Sequence, residues 1–239
     1  PVIYPVGDTA VTGFVTQALQ WHGMSVLHSP SPDVTHVLLP IPQETFTADL
    51  ATQLPSSVTV IGGNLNLPGY RCIDLLKDEG YLSENAMITA HIAINIAASH
   101  SSLILSHCPI LILGWGRIGK CLMKLAQGLG ADVTVAARKI SDLGIIQALG
   151  CRSADIRGIS HQLHRYRIIF NTVPFPVLDS EQCGHCRSDC IKIDLASKPG
   201  IASEDVIFAR GLPGKYAPES SGRLIAKTIR RLIFQKEAM

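Results

Sequence analysis

One stretch constrains this chain more than any other: Ile110-Leu-Ile-Leu-Gly114-Trp-Gly116-Arg-Ile-Gly119, where an apolar run passes through three glycines into a helical segment. A bare G-x-G-x-x-G is a weak signal. Here a buried strand precedes it, a helix follows, and a second strand ends about twenty residues later, the context a dinucleotide fingerprint requires. Gly114 permits the tight turn, Gly116 lets backbone N–H groups approach a pyrophosphate, and Gly119 allows close helix–strand packing. The helix N-terminus adds an anion site. The loop Gly114, Trp115, Gly116, Arg117, Ile118 and Gly119 is therefore the expected cofactor cradle; the competing reading is a glycine-rich turn with no ligand. An NAD-selective site usually ends its second strand with Asp or Glu on the ribose 2′-hydroxyl. This chain has Val133-Thr-Val-Ala-Ala-Arg138-Lys139 instead. Arg138 can fork onto a 2′-phosphate and Lys139 adds charge, which favours NADP over NAD. Against it stands a plain solvated basic turn.

The same strand–helix alternation runs through the rest of the chain. Val2–Val6, Ser25–His28, His36–Pro40 and Val58–Gly62 read as strands, and Thr9–His22 carries Val11, Phe14, Val15, Ala18 and Leu19 at helical spacing. After the glycine turn come a helix at Ile118–Leu129, a strand at Val133–Ala136, a helix at Leu143–Leu149, and strands at Ile168–Phe170, Ile191–Asp194 and Val206–Phe208. Ser83–His107 is the longest helical candidate, and Ser221–Phe234 is the last. Such alternation predicts an α/β fold of two doubly wound parallel-sheet domains, the second a Rossmann domain, joined by a long interdomain helix. The expected boundaries are a flavodoxin-like substrate domain over 1–84, completed by a C-terminal helix at 219–239, a connecting helix at 85–107, and the nucleotide domain at 108–218.

Three further loops carry chemistry. Asn171-Thr172-Val173-Pro174 and Asp194-Leu-Ala-Ser197-Lys198-Pro-Gly200 fall at the carboxyl ends of strands, where doubly wound sheets bind ligands. Asn171 and Ser197 can hydrogen-bond ribose or carboxamide, and Lys198 can meet an anionic substrate. Gly211-Leu-Pro213-Gly214-Lys215-Tyr-Ala-Pro218 is too rich in Gly and Pro for a helix and reads as a shaped wall beside the nicotinamide. Cys183-Gly-His-Cys186-Arg-Ser-Asp-Cys190 suggests zinc or a redox pair. No second knuckle is visible and the segment precedes a late strand, so structural or incidental thiols are the preferred reading.

Charge and composition exclude other classes. With 21 Lys plus Arg against 19 Asp plus Glu, the net charge of +2 leaves no footprint for nucleic acid or an anionic membrane. Lys227, Arg230, Arg231 and Lys236 read as the solvated face of the last helix. No Asp, Glu, Lys or Arg occurs between Glu84 and Arg117. His91, Asn95, His100, His107 and Pro109 in that stretch nonetheless argue against a membrane span. Seven cysteines, an odd number, and no visible signal peptide suggest reduced thiols and a cytoplasmic location.

The motifs together are recognisable. Asn85-Ala-Met-Ile-Thr89-Ala, Gly114-Trp-Gly-Arg-Ile-Gly, Ala137-Arg138, Asn171-Thr-Val-Pro, Ile193-Asp-Leu-Ala-Ser-Lys-Pro-Gly and Gly211-Leu-Pro-Gly-Lys-Tyr-Ala-Pro resemble the dipicolinate synthase A-subunit family of sporulating bacteria. The match runs from about Asn85 to Ile233 and is faint before that. It implies oxidation of dihydrodipicolinate to dipicolinate with NADP, a second B subunit as partner, and a homo-oligomer. A dicarboxylate needs positive partners in a dry cleft. Lys198 and Lys215 are the expected ones, with backbone N–H groups of a helix start near Asn85–Thr89, the Thr89 hydroxyl, and a wall from Pro213 and Gly214. His91 is the candidate proton acceptor. The sequence departs from the family where Lys198 replaces an Arg, Ile201 a Gly and His91 a Glu, and its N-terminal part is shorter. The alternative function is a non-catalytic nucleotide-binding regulatory or assembly subunit.

Overall fold

The computed structural model describes residues 1–41 and 48–237. The chain divides into two compact units, Pro1–Asn85 together with the segment from Pro213 onward, and Ala86–Leu212.

The first unit contains β1 (Val2–Pro5), α1 (Ala10–Trp21), β2 (Ser25–Val26), β3 (His36–Leu38), α2 (Ala48–Thr52), β4 (Thr59–Gly62) and β5 (Arg71–Asp74). All strand pairs are parallel, in the order β2-β1-β3-β4-β5. Ile3, Val37, Val60 and Ile61 are fully buried in it, as expected of strands covered on both faces. Thr9 caps α1, its hydroxyl accepting from the Thr12 N–H. The last described helix, α8 (Pro218–Glu237), lies against α1, and at Gly222 a Cβ would come within 2.6 Å of the Phe14 Cβ. Leu224, Ile225, Ala226, Ile229 and Ile233 are buried apolar side chains on it, the larger ones each worth about 1.5–3 kcal/mol by burial.

α3 (Glu79–His100) runs across the boundary between the units. It starts four residues before the expected Ser83, because Asp78 supplies a cap whose carboxylate accepts from the Tyr81 N–H at 2.7 Å. It stops at His100 rather than His107; the Ser101 hydroxyl then takes the Leu103 N–H, and Leu103 and Ile104 are exposed. Of the basic group on α8, Lys227 is exposed, as expected, and pairs with Glu84 at 2.8 Å; Arg230 and Arg231 are half-buried, Arg231 pairing with Asp78, and the side chain of Lys236 lies outside the described residues. Burial pulls the Asp78 carboxyl upward, but the Tyr81 N–H and the Arg231 guanidinium outweigh it and hold it below the usual range.

The second unit holds β6 (Pro109–Leu113), α4 (Arg117–Gly128), β7 (Asp132–Ala137), α5 (Ile140–Ala148), β8 (Arg152–Asp155), β9 (Ile168–Asn171), α6 (Ser180–Cys183), β10 (Ile191–Asp194) and β11 (Ile207–Phe208). Its parallel sheet has the order β11-β10-β9-β6-β7-β8, the doubly wound dinucleotide-binding arrangement. One face is sealed by Leu111, Leu113, Ile159, Leu163, Tyr166 and Ile169 among others. The Gly211–Pro218 segment corrects the sequence expectation: α7 (Leu212–Tyr216) is helical. Pro213 falls in the first turn, where its missing N–H costs nothing, and its carbonyl accepts from the Ala217 N–H at 3.0 Å.

No described helix is long and apolar enough to cross a membrane.

Candidate functional site

In the second sheet the strand order reverses between β6 and β9, and a cleft of about 610 Å³ opens at the carboxyl ends of these strands. Doubly wound sheets place ligands at such a switch point because the two connections leave in opposite directions. Gly114, at φ +106°, makes the turn out of β6; a Cβ there would lie 2.5 Å from the Thr172 hydroxyl and 2.9 Å from the Val173 side chain. The Thr172 hydroxyl in turn donates to the Leu113 carbonyl at 2.9 Å, tying the β9 loop to β6. At Gly119 a Cβ would run into the Gly114 carbonyl, so only glycine lets α4 approach the turn this closely. Gly116 is different: its absent Cβ would meet nothing within 4 Å. Two glycines are thus demanded by the fold, and the third leaves open space above the start of α4. Gly116 also offers that helix no side-chain cap. This is the shape a pyrophosphate requires, and the residues present fit it.

The far end of the cleft is cationic. Arg138 and Lys139 follow β7, are exposed, and line it with Trp115, Thr172, Val173 and Pro174. Arg157, which follows β8, joins them. Its Nε donates to Asp155 Oδ1 at 3.0 Å and its Nη2 to Oδ2, and this fork holds the Asp155 carboxyl down at about 2. Among the lining residues three cations face one carboxylate, that of Asp142, while Asp155, outside the lining, is committed to Arg157. Sequence reading missed Arg157 because β8 reads Arg-Ser-Ala-Asp, with no apolar run to mark a strand.

Asn171 and Asp194 lie beneath the cleft, fully buried. They are paired in register as the last residues of β9 and β10. Asn171 Nδ2 donates to Asp194 Oδ1 at 3.0 Å and to the Val173 carbonyl, and its Oδ1 accepts from the Val173 N–H. Asp194 also accepts from the N–H groups of Ala196, Gly200 and Ile201. Their polar atoms hold two loops in place rather than reaching into the cleft. Ser197 and Lys198 lie beyond, exposed in the loop after β10.

Arg117 and Ile118 form the first turn of α4. The expected anion site near Asn85–Thr89 is corrected by the early start of α3: these residues lie well inside the helix, where N–H groups bond to carbonyls one turn back. Asn85 is half-buried, Thr89 is buried and His91 is exposed on the same helix. Lys215 is exposed on α7, its ammonium 5.0 Å from the Tyr216 ring. Gly214 lines a mainly apolar cavity of about 230 Å³ with Val11, Thr12, Leu38 and Pro40, where the strand order of the first sheet reverses. Among the described residues, no group of three or more His, Cys, Asp or Glu is arranged to hold a metal ion, and all seven cysteines are free.

No family model matches the chain. It is similar to the A subunit of dipicolinate synthase from Bacillus subtilis, 25% identical over 176 residues, which is 70% of this chain and 59% of that protein. The matched region thus spans less than two thirds of the relative's length. In fold it is similar to the crystal structure of the dipicolinate synthase A subunit from Bacillus halodurans, with a TM-score of 0.85, 22% identity and 97% of each chain covered. A transhydrogenase from Sinorhizobium meliloti follows at a TM-score of 0.73 and 14% identity, covering 98% of this chain and 93% of that one. The resemblance carried by the six motif segments therefore holds in sequence, and the fold is the two-sheet α/β fold of these proteins.

Proposed function

We propose that the chain is a cytoplasmic NADP-dependent oxidoreductase that converts dihydrodipicolinate to dipicolinate during spore formation. The B subunit of dipicolinate synthase and further copies of this chain are its partners. One observation carries the cofactor assignment: the glycine cradle at Gly114–Gly119 opens toward Arg138, Lys139 and Arg157, with no carboxylate at the end of β7 to receive a ribose 2′-hydroxyl. Cations at that position favour a 2′-phosphate. The similarity to the dipicolinate synthase A subunit supports the substrate.

Oxidation of the dihydropyridine removes a hydride and a proton and leaves an aromatic ring. Bound NADP supplies the hydride acceptor. The chain's own residues have three tasks. Gly116 and the first turn of α4 hold the pyrophosphate, with Trp115, Arg117 and Ile118 completing the loop, and Thr172, Val173 and Pro174 wall the cleft. Lys198 and Lys215, both exposed, each offer an ammonium to a substrate carboxylate. His91 accepts the proton on an imidazole nitrogen. Ser197 contacts the nicotinamide half, while Asn171 and Asp194 set its loops from below.

The test is to mix purified protein with freshly generated dihydrodipicolinate and NADP and follow nicotinamide reduction by near-ultraviolet absorbance. One reduced nicotinamide per dipicolinate is expected. NADP binding without turnover would leave a nucleotide-binding regulatory protein, and failure to bind either dinucleotide would end the proposal.

A further inference from the structure

A second cavity, of about 700 Å³, lies within the second unit at the amino ends of β6, β7 and β8, the opposite end of the sheet from the cofactor cleft. Pro109, Asp132 and Arg152, which begin these strands, all line it. Strand register fixes which way the side chains point. Thr134 pairs with Leu111 on one side and Arg152 on the other, and Asp132 stands two residues before Thr134. Asp132, Thr134 and Arg152 therefore share the sheet face on which Leu111 enters the core. A 3₁₀ helix, Ile156–Arg165, packs on that face through Ile159 and Leu163. With three residues per turn, positions three apart align. The row Ile156, Ile159, Gln162, Arg165 thus passes from apolar over the core to polar where the cavity opens.

Three lining groups have no partner among the described residues. Tyr166 is 4% and Thr134 7% exposed, yet neither hydroxyl is hydrogen-bonded within the protein. Buried hydroxyls are normally bonded, so two of them lining one cavity are placed for a polar molecule inside it. The third is Arg165, exposed and met by no carboxylate or carbonyl. Arg152, by contrast, pairs with Asp132 at 3.3 Å. The lining thus carries two guanidinium groups and one carboxylate, and Asp132 offsets Arg152. What remains is the single charge of Arg165, which suits one oxyanion, since a polyanion would meet the Asp132 carboxylate as well. Gln147, Ser153 and Gln162 surround it with neutral donors and acceptors of the kind that alcohol groups use.

We propose that this cavity binds a small polyhydroxylated oxyanion, a sugar acid or a sugar phosphate. Arg165 takes the carboxylate or phosphate, and the Thr134 and Tyr166 hydroxyls take alcohol groups. The two compound classes share the chemistry the site reads, one anionic group beside several alcohols, and a guanidinium forks onto either anion. The six residues of β7 separate the cavity from Arg138 by roughly 17 Å, at a strand's rise per residue. Ligand and dinucleotide are therefore able to bind together, and the assignment does not depend on the reaction proposed above.

Titration calorimetry on the full chain tests this with gluconate, glucose 6-phosphate and, as the uncharged reference, glucose. One equivalent of gluconate or of glucose 6-phosphate should bind per chain, and the tighter of the two identifies which anion the site takes. Glucose should bind about tenfold more weakly or worse, for want of the charge-assisted contact. Excess NADP should leave the binding in place. Arg165→Met should weaken the preferred anion by about tenfold or more, and Tyr166→Phe and Thr134→Val, which keep the core volume, by a few-fold each. Binding of neither anion, equal binding of glucose, or displacement by NADP, which would put the anion in the cofactor cleft, would overturn the assignment. So would parent affinity in Arg165→Met, or in both hydroxyl variants.

Discussion

Replacing Asp194 by Asn changes one atom in the buried junction beneath the cleft and leaves its volume nearly intact. In the parent protein Oδ1 accepts from Asn171 Nδ2 and the Ala196 N–H, both at 3.0 Å, while Oδ2 accepts from the Gly200 N–H at 2.7 Å and the Ile201 N–H at 3.2 Å. Every partner is a donor. An amide supplies one acceptor oxygen, so whichever way it turns, an NH₂ group faces two N–H groups that have no water to turn to. Each buried unsatisfied donor costs about 1–3 kcal/mol, and relief from burying a charge returns part of this. The expected loss is about 3–4 kcal/mol, near the upper end for single substitutions. Urea unfolding followed by a probe in the second unit measures it, because the two units need not unfold together. Asn171→Ala and the double variant complete a cycle that reports which way the amide turns: less than additive with its nitrogen toward Asn171, where both changes break one bond, and additive with its oxygen there. A loss below about 1 kcal/mol for Asp194→Asn would refute the view that this carboxylate fastens the loops.

Arg138→Ala should weaken NADP by on the order of 1.5–3 kcal/mol while barely touching NAD; equal losses in calorimetry would remove the 2′-phosphate assignment. Lys198→Met should raise the KM for the dicarboxylate with NADP affinity unchanged, and His91→Gln should lower kcat with KM little changed. Unchanged steady-state kinetics in both would place the substrate elsewhere. Asp78→Asn should cost about 1–2 kcal/mol at neutral pH, from the α3 cap and the Arg231 pair. Because the folded state lowers this carboxyl's pKa, its contribution is present above the unfolded carboxylate range and vanishes as pH falls through the folded value. Parent and variant thermal stabilities should therefore converge in acid.

What the sequence made legible follows from how many independent constraints meet at one place. At Gly114–Gly119 an apolar strand, a left-handed turn, a helix contact that excludes any Cβ and a periodic helix all coincide, and the structure keeps each. β5 and β8 escaped notice because each pairs with a single neighbour strand, so neither needs a continuous apolar run. Without β8 its following residue, Arg157, had no position relative to the cleft. α7 was hidden by composition: Pro and Gly weigh against helix interiors, yet five residues have almost no interior. The start of α3 turned on one side-chain bond from Asp78, which apolar periodicity does not register. Asn171 and Asp194 fell at the right strand ends, but strand position alone does not tell a residue that meets a ligand from one that braces the loop beside it.

The meeting of α8 with α1 at Gly222 has a consequence for the order of assembly on the ribosome. The sheet of the first unit is translated before the second unit, and the helix that covers Phe14 and Val15 after it. Until then the nascent sheet carries a bare apolar flank, and the intervening unit can collapse first around its own core. Closing the first unit across so long an insertion costs little more than across a short one, because closure entropy grows only with the logarithm of length. A lesion in α8 therefore strikes the unit whose sheet was made before the unit that lies between them in the chain.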